Sequence, residues 1–171
     1  IESGSFKLGD KVKVLPSGFT STITRISVGE KEMKEAFSPL SVSLTIKDDI
    51  DISRGDMVIK ENNSPSLSQA LDVLLIWFNK LPLKKGKRII LKHTTNETKA
   101  LVSEILYEIN INNLHKIQNI ESLKINSIGR VKLWSSKNIF FDSYYKNRST
   151  GSIILIDPNT NETLGAALIT G

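Results

Sequence analysis

Three apolar runs separated by turn residues fill residues 126–169, and this pattern constrains the fold more than any other stretch. Asn126 precedes the first run, Gly151 the second and Asn161 the third. Asparagine and glycine favour turns, and short apolar runs between turns are typical of strands. No combination of residues in this stretch resembles a catalytic centre. We therefore expect three consecutive strands here.

Short strands are also expected along most of the remaining chain. Residues 11–14 and 41–46 alternate polar and apolar side chains, and residues 20–28 are rich in β-branched residues. A Pro-Ser-Gly turn at residues 16–18 connects residues 11–14 to residues 20–28, which predicts a hairpin. Strand character recurs at residues 57–59, 88–92 and 99–109. Many short strands without alternating helices favour an all-β fold of barrels or sandwiches.

Three segments have patterns that fit more than one structure. In residues 67–78 the apolar positions fit helical spacing, whereas the unbroken apolar run within them fits a strand buried on both faces. Residues 30–36 are compatible with a helical turn that Pro39 ends. Residues 110–126 form a long polar connection with room for a short helix.

A domain boundary is predicted at the polar, turn-rich residues 61–66. The two domains would then be residues 1–62 and 66–171. Residues 1–4 look like the end of a strand, and the sequence does not begin with methionine. We expect a fragment whose first domain lacks its first strand.

Composition indicates a folded chain with dispersed positive charge. Hydrophobic residues make up 39% of the 171 residues, charged residues make up 24%, and the formal net charge is +5. The lysines are spread along the sequence, which is typical of a solubilising surface. The chain has no cysteine and no apolar run of the roughly 18 residues that a membrane span needs. We expect a cytoplasmic protein without membrane contact and without nucleic acid as a partner.

The acidic and histidine-containing segments are better explained as structural features than as sites. Residues 48–51 contain three aspartates, but they lack the mid-loop glycine and terminal glutamate of a calcium loop. Residues 54–56 spell the Arg-Gly-Asp adhesion tripeptide, and so short a match arises by chance. His93 and His115 have no second ligand at a metal-binding spacing. We predict no metal site.

Nucleotide binding is also unsupported by the residues present. The densest basic patch, at residues 84–88, has no interleaved aromatic residues on which bases could stack. Residues 79–82 begin like the guanine-reading Asn-Lys-x-Asp motif, but Pro82 replaces the aspartate that reads the base. The sequence contains no Gly-x-x-x-x-Gly-Lys-Ser/Thr phosphate loop. No catalytic or cofactor-binding residue is predicted.

Several segments resemble the large, GTPase subunit of bacterial sulfate adenylyltransferase. In the first domain these are residues 15–18 (Leu-Pro-Ser-Gly) and 51–56 (Asp-Ile-Ser-Arg-Gly-Asp). In the second domain they are residues 125–131, 141–151 and 154–157. Elongation factor Tu has a similar architecture but not the Asp-x-Tyr-x-x-Asn-Arg-x-Thr-Gly sequence of residues 142–151.

This resemblance implies two consecutive small β-barrels like domains II and III of elongation factor Tu, with a strand within residues 67–78. It also implies a role in a two-subunit enzyme. A small catalytic subunit makes adenylyl sulfate and pyrophosphate from ATP and sulfate, and the large subunit couples GTP hydrolysis to that step. GTP and Mg²⁺ would bind an N-terminal domain before Ile1, and ATP would bind the small subunit. The implied partners are the small subunit and that GTPase domain.

The resemblance carries no catalytic residue over to this chain. For the 142–151 segment it implies a contact with the partner subunit or a neighbouring domain, through Asp142, Asn147, Arg148, Thr150 and Gly151. The alternative is a turn in which Asn147 and Thr150 bond backbone groups and Gly151 supplies an unusual backbone angle. The alternative function is a tRNA-binding barrel pair of a translation elongation factor.

Overall fold

The computed structural model describes residues 1–170, which contain β-strands and no helix. The chain divides into two compact units, a first over Ile1–Ser64 and a second that begins at Pro65. The predicted all-β fold is confirmed. Residues 67–78, whose pattern also fitted a helix, lie almost entirely in one long strand, as the resemblance implied.

Unit 1 contains seven strands. They are β1 (Ser5–Lys7), β2 (Lys11–Leu15), β3 (Thr20–Val28), β4 (Lys31–Glu32), β5 (Glu35–Phe37), β6 (Ser43–Ile46) and β7 (Met57–Lys60). Strand β2 lies between β7 and β3 in an antiparallel sheet, β3 also pairs with β4 and β6, and β1 pairs with β5. Residues 1–4, expected to end a strand, precede β1 and lie outside the strands.

The predicted hairpin of unit 1 is confirmed in β2 and β3. Val12 and Val14 are fully buried, and the lysines that alternate with them are not. Val12 joins Ile23, Ile26 and Ala36 in the core of this unit. Burying a side chain of this size stabilises a fold by about 1.5–3 kcal/mol. The alternation seen in the sequence therefore reports directly on this core.

The helical turn expected at residues 30–36 is wrong, because the chain there is extended as β4 and β5. Val28 pairs with Lys31, so Gly29 and Glu30 form a two-residue hairpin turn. Gly29 has a φ of 57°, a left-handed conformation that glycine adopts easily and that starts such a turn.

Unit 2 contains nine strands. They are β8 (Ser66–Trp77), β9 (Leu83–Lys84), β10 (Arg88–His93), β11 (Asn96–Ile109), β12 (Lys116–Ile117), β13 (Ser122–Leu123), β14 (Ile128–Phe141), β15 (Ser152–Ile156) and β16 (Thr163–Ile169). Six of them form a ring in the order β10, β15, β16, β8, β14, β11, and the antiparallel pairing of β10 with β11 closes it. Unit 2 is therefore a closed barrel.

Strand β8 shows why its sequence pattern was ambiguous. Leu71, Val73, Leu75 and Trp77 are 0–1% exposed inside the barrel, and the residues between them are half-buried on its outer side. Because both faces of β8 carry apolar residues, some of its leucines coincide with the spacing of a helix. The polar connection 110–126 contains the short strands β12 and β13 and no helix. Leu123 of β13 is fully buried and pairs with the equally buried Leu83 of β9.

Candidate partner-contact segment

The 142–151 segment connects the end of β14 to the start of β15 at one end of the barrel. The backbone N–H groups of Lys146 and Asn147 both donate to the Ser143 carbonyl at 3.0 Å, which makes a tight turn. Tyr144 N donates to the Ile169 carbonyl, and Ile169 N donates to the Gly151 carbonyl, both at 2.8 Å. The segment is thus hydrogen-bonded to β16 at both of its ends.

The Asp142 carboxylate lies at the centre of the polar contacts in this segment. The Thr150 hydroxyl donates to Asp142 Oδ2 at 2.9 Å, and Lys146 Nζ lies 2.6 Å from Oδ1. The Asp142 side chain is 16% exposed, and Thr150 is 5% exposed. One carboxylate therefore joins the beginning, middle and end of the turn.

His93 supports this segment from strand β10. The residue is 3% exposed, and its Nε2 atom lies 2.7 Å from the Thr150 carbonyl oxygen. Because a carbonyl oxygen only accepts hydrogen bonds, Nε2 carries the proton. Burial lowers the pKa of His93, while the bond to Thr150 and the charge of Asp142 oppose that shift. The imidazole is neutral near pH 7 and acts as a structural donor.

Asn147 and Gly151 both shape the turn. Asn147 Oδ1 accepts a hydrogen bond from Ser149 N at 3.1 Å. Gly151 has no left-handed φ, so the unusual backbone angle expected for it is wrong. Instead, a Cβ at this position would lie 2.5 Å from Tyr144 N and 2.7 Å from the Asn147 carbonyl oxygen. Glycine is required there because two stretches of backbone approach too closely for a side chain.

Arg148 and Tyr145 face solvent, as do Lys146 and Ser149, but Lys146 is already paired with Asp142. Tyr145 is 90% exposed, and its ring packs edge-on against Tyr144 at a centroid distance of 6.4 Å. Within residues 1–170 no hydrogen bond or ion pair involves the Arg148 guanidinium. Tyr145 was not among the residues predicted from the sequence, although an adjacent tyrosine pair in a polar turn is a visible signal. The two large exposed side chains of the segment that have no ion-pair partner within residues 1–170 are thus Arg148, which was predicted, and Tyr145, which was not.

The remaining motifs have polar side chains that hydrogen-bond within unit 1 or within their own turns. The Ser21 hydroxyl donates to Asp48 Oδ2 at 2.8 Å, and no group of three or more metal-binding side chains occurs among residues 1–170. Asp56 Oδ2 accepts from Ser53 N at 2.9 Å, so the Arg-Gly-Asp tripeptide lies in a tight turn. Asn79 Oδ1 accepts from Leu81 N at 2.9 Å, which uses the asparagine of the guanine-like motif within its own turn.

Residues 1–170 include no helix that is long and apolar enough to cross a membrane.

Comparison with known proteins identifies close relatives along nearly the whole chain. The bifunctional enzyme CysN/CysC of Mycobacterium tuberculosis is 40% identical over 170 residues, covering 99% of this chain and 28% of the relative. Sulfate adenylyltransferase subunit 1 of Teredinibacter turnerae is 40% identical over 168 residues, covering 98% of this chain and 36% of the relative. The resemblance to this subunit is confirmed, and the chain spans about a third of the length of these relatives.

Solved structures show the same fold at low sequence identity. The chain superposes on sup35 complexed with GDP with a TM-score of 0.88 at 17% identity, covering 100% of this chain and 42% of the other. It superposes on the Saccharomyces cerevisiae Ski7 GTPase-like domain with a TM-score of 0.75 at 15% identity, covering 99% and 39%. The family model described as GTP-eEF1A C-terminal domain-like matches residues 70–170. The chain therefore belongs to the GTP-eEF1A C-terminal domain-like family and shares its fold with sup35 and with the Ski7 GTPase-like domain.

Proposed function

We propose that this chain is the two-barrel part of the GTPase subunit of a sulfate adenylyltransferase. In this role it contacts the small catalytic subunit and couples GTP hydrolysis to the synthesis of adenylyl sulfate from ATP and sulfate. Residues 1–62 correspond to a translation-factor-type domain II and residues 66–171 to domain III. GTP and Mg²⁺ bind a domain outside this chain, ATP binds the catalytic subunit, and the complex is cytoplasmic.

One observation carries the proposal: the sulfate adenylyltransferase relatives align with 98–99% of the chain at about 40% identity. Sup35 and Ski7 match the fold equally completely but at only 15–17% identity. A shared fold does not establish a shared function, whereas continuous identity across both units supports a function like that of the sulfate adenylyltransferase relatives.

The 142–151 segment supports a contact role on physical grounds. Its backbone is fixed by bonds to β16, and Asp142 holds its two ends together. Arg148 and Tyr145 are two large exposed side chains on this rigid frame, and arginine and tyrosine are enriched among the residues that dominate protein interfaces. A rigid turn loses little conformational freedom on binding, which favours affinity.

A chimera tests the proposal directly. The 171 residues would replace the aligned part of Teredinibacter turnerae sulfate adenylyltransferase subunit 1, and the chimera would be purified with its catalytic subunit. We expect adenylyl sulfate formation that depends on GTP. A matched chimera carrying the aligned part of sup35 is the control, because it has the same fold at low identity, and we expect no coupling from it.

A folded chimera that binds GTP but gives no GTP-dependent adenylyl sulfate would contradict the proposal. The tRNA-binding alternative predicts a different result for the isolated chain. Binding of aminoacyl-tRNA that weakens steeply with added salt, together with no binding of the catalytic subunit, would establish that alternative.

A further inference from the structure

A row of exposed side chains crosses four neighbouring strands on the outer wall of the unit 2 barrel. Arg88 of β10 pairs with Leu101 of β11, Leu101 pairs with Trp134 of β14, and Trp134 pairs with Ala70 of β8. Directly opposed residues of antiparallel strands point to the same face, with Cβ atoms about 4.5–5.5 Å apart. We call these four residues the Trp134 row.

Trp134 is the centre of a small apolar surface in this row. It is 53% exposed, and its neighbour Leu101 is 39% exposed, so neither side chain is used by the barrel core. Ala70 on the other side is also exposed, which leaves the indole open. Trp134, Leu101 and Ala70 are contiguous across three strands, and a contiguous exposed apolar patch bordered by polar residues is a feature of protein interaction sites.

Cations border this apolar centre. Arg88 lies at one end of the row, and Lys99 lies on the same face of β11, two residues before Leu101. Within residues 1–170 neither side chain has an ion-pair partner, whereas Lys132 on β14 is paired with Glu104 at 2.9 Å. The apolar centre thus has uncompensated positive charge on the side of β10 and β11.

The net charge of the chain is unevenly divided between the two units, with the positive charge in unit 2. Residues 65–171 contain 14 lysines and arginines and 8 aspartates and glutamates, whereas residues 1–64 contain 9 and 10. The basic residues are evenly dispersed, as the sequence suggested, but the acidic ones are concentrated in unit 1. The net positive charge therefore belongs to the unit that carries the Trp134 row.

We propose that the Trp134 row is a docking site for an acidic protein surface that places carboxylates around an apolar depression. Resting on the proposed function, the partner is the catalytic subunit of sulfate adenylyltransferase. The indole enters the depression, and Arg88 and Lys99 meet the carboxylates at its rim. This arrangement of a dry aromatic centre and a charged rim is the usual anatomy of a protein interface.

The side chains favour a protein over a single-stranded nucleic acid. Nucleic-acid platforms stack successive bases on several aromatic rings along a basic groove. Here one aromatic residue lies between two aliphatic ones, Leu101 and Ala70, which pack against apolar side chains but offer no second stacking surface.

Tryptophan fluorescence tests the docking site without a label. The chain has two tryptophans, Trp77, which is fully buried, and Trp134, which is exposed. Quenching by acrylamide, a neutral molecule that the basic surface does not attract, therefore reports on Trp134. When the catalytic subunit, with its own tryptophans replaced by phenylalanine, is added, we expect a blue shift and at least a threefold loss of quenching. Neither change is expected in W134F, in which only Trp77 emits.

Charge reversal provides a second, independent measurement. The R88E/K99E variant is expected to bind the catalytic subunit at least tenfold more weakly and with a smaller dependence on salt. The control variant K31E/K34E makes the same change of net charge in unit 1 and is expected to bind within twofold of the unaltered chain. Thermal unfolding of both variants shows whether the fold is retained.

The possible outcomes separate this inference from the proposed function. Binding of the catalytic subunit with undiminished quenching of Trp134, or with unchanged affinity of folded R88E/K99E, overturns the docking site and leaves the proposed function intact. No binding of the catalytic subunit at all overturns both. Protection of Trp134 by a single-stranded oligonucleotide, or by self-association at high concentration, in place of the subunit overturns the proposed partner.

Discussion

His93 of β10 donates a hydrogen bond from Nε2 to the Thr150 carbonyl, 2.7 Å away, and so connects a barrel strand to the candidate contact segment. The bond is almost completely shielded from water, because His93 is 3% and Thr150 is 5% exposed. Burial disfavours the charged imidazole and lowers the pKa of His93, and the nearby Asp142 carboxylate is already engaged by Lys146 and Thr150.

The first prediction is a loss of stability in mild acid. Burial holds the pKa of His93 below its ordinary value of 6.5, so the unfolded chain binds the proton more readily than the folded chain. The contribution of His93 to the free energy of unfolding should be fully present above pH 6.5. It should fall as the pH drops below 6.5, by at most about 1.4 kcal/mol per pH unit. Urea unfolding of the unaltered chain and of H93Q between pH 7.5 and 5.5 measures this contribution.

H93Q should show a flatter pH dependence than the unaltered chain, because it lacks the titrating group. The exposed His115 supplies the matched control, and H115Q should keep the full dependence. An equally steep fall in H93Q would show that other groups cause the acid sensitivity.

The second prediction concerns Gly151. G151A should destabilise the chain by about 3 kcal/mol, because the new methyl group would clash with the backbone of Tyr144 and Asn147, which cannot move aside as a side chain can. At Gly86 a methyl group would meet open space, although the φ of 84° is unfavourable for alanine. G86A should therefore cost only about 1 kcal/mol in urea unfolding. A loss in G151A no larger than that in G86A would be inconsistent with the close approach.

The third prediction separates contact from turn structure in the 142–151 segment. R148A should leave the free energy of unfolding unchanged within about 0.5 kcal/mol, because the guanidinium is exposed. If Arg148 contacts the catalytic subunit, R148A should weaken that binding by at least about fivefold, which isothermal titration calorimetry can measure. The exposed Arg25 of unit 1 is the control. Unchanged affinity would leave the segment with a purely structural role.

The fourth prediction is a stabilising substitution at Leu114. This residue has a φ of 60° and is 75% exposed in the turn between β11 and β12. Asparagine tolerates the left-handed conformation better than leucine, so L114N should stabilise the chain by about 0.5–1 kcal/mol. The neighbouring Ile111 is 65% exposed without that backbone angle, and I111N should change stability by less than about 0.5 kcal/mol. Equal effects of the two substitutions would argue against strain at Leu114.

The sequence predicted strands well where one face of the strand is buried and the other is exposed to solvent. Residues 11–14 and 43–46 alternate in the sequence and form strands in the structure. It failed at residues 30–36, where a two-residue turn at Gly29 and Glu30 makes strands of residues that can also form a helix. Local preference was weaker there than the pairing of β4 with β3 across this turn and of β5 with β1.

The candidate contact residues show a second limit of prediction from the sequence. Asp142, Asn147, Thr150 and Gly151 were selected together, but the structure uses their contacts within the turn. Trp134 and Arg88 were not connected in the sequence analysis, because their proximity depends on the register of β10, β11 and β14. A shift of one residue in β10 would place Arg88 on the opposite face, and the same shift in β14 would do so for Trp134.

Closure of the barrel gives the chain a mechanical property. Strand β10 is hydrogen-bonded to β15 on one side and to β11 on the other, and every strand of the ring has two such neighbours. A strand at the edge of an open sheet can peel away under load, but a strand in a ring can move only if two ladders break together. A force applied at the 142–151 segment is therefore opposed by hydrogen-bonded ladders on both sides of β14 and β15.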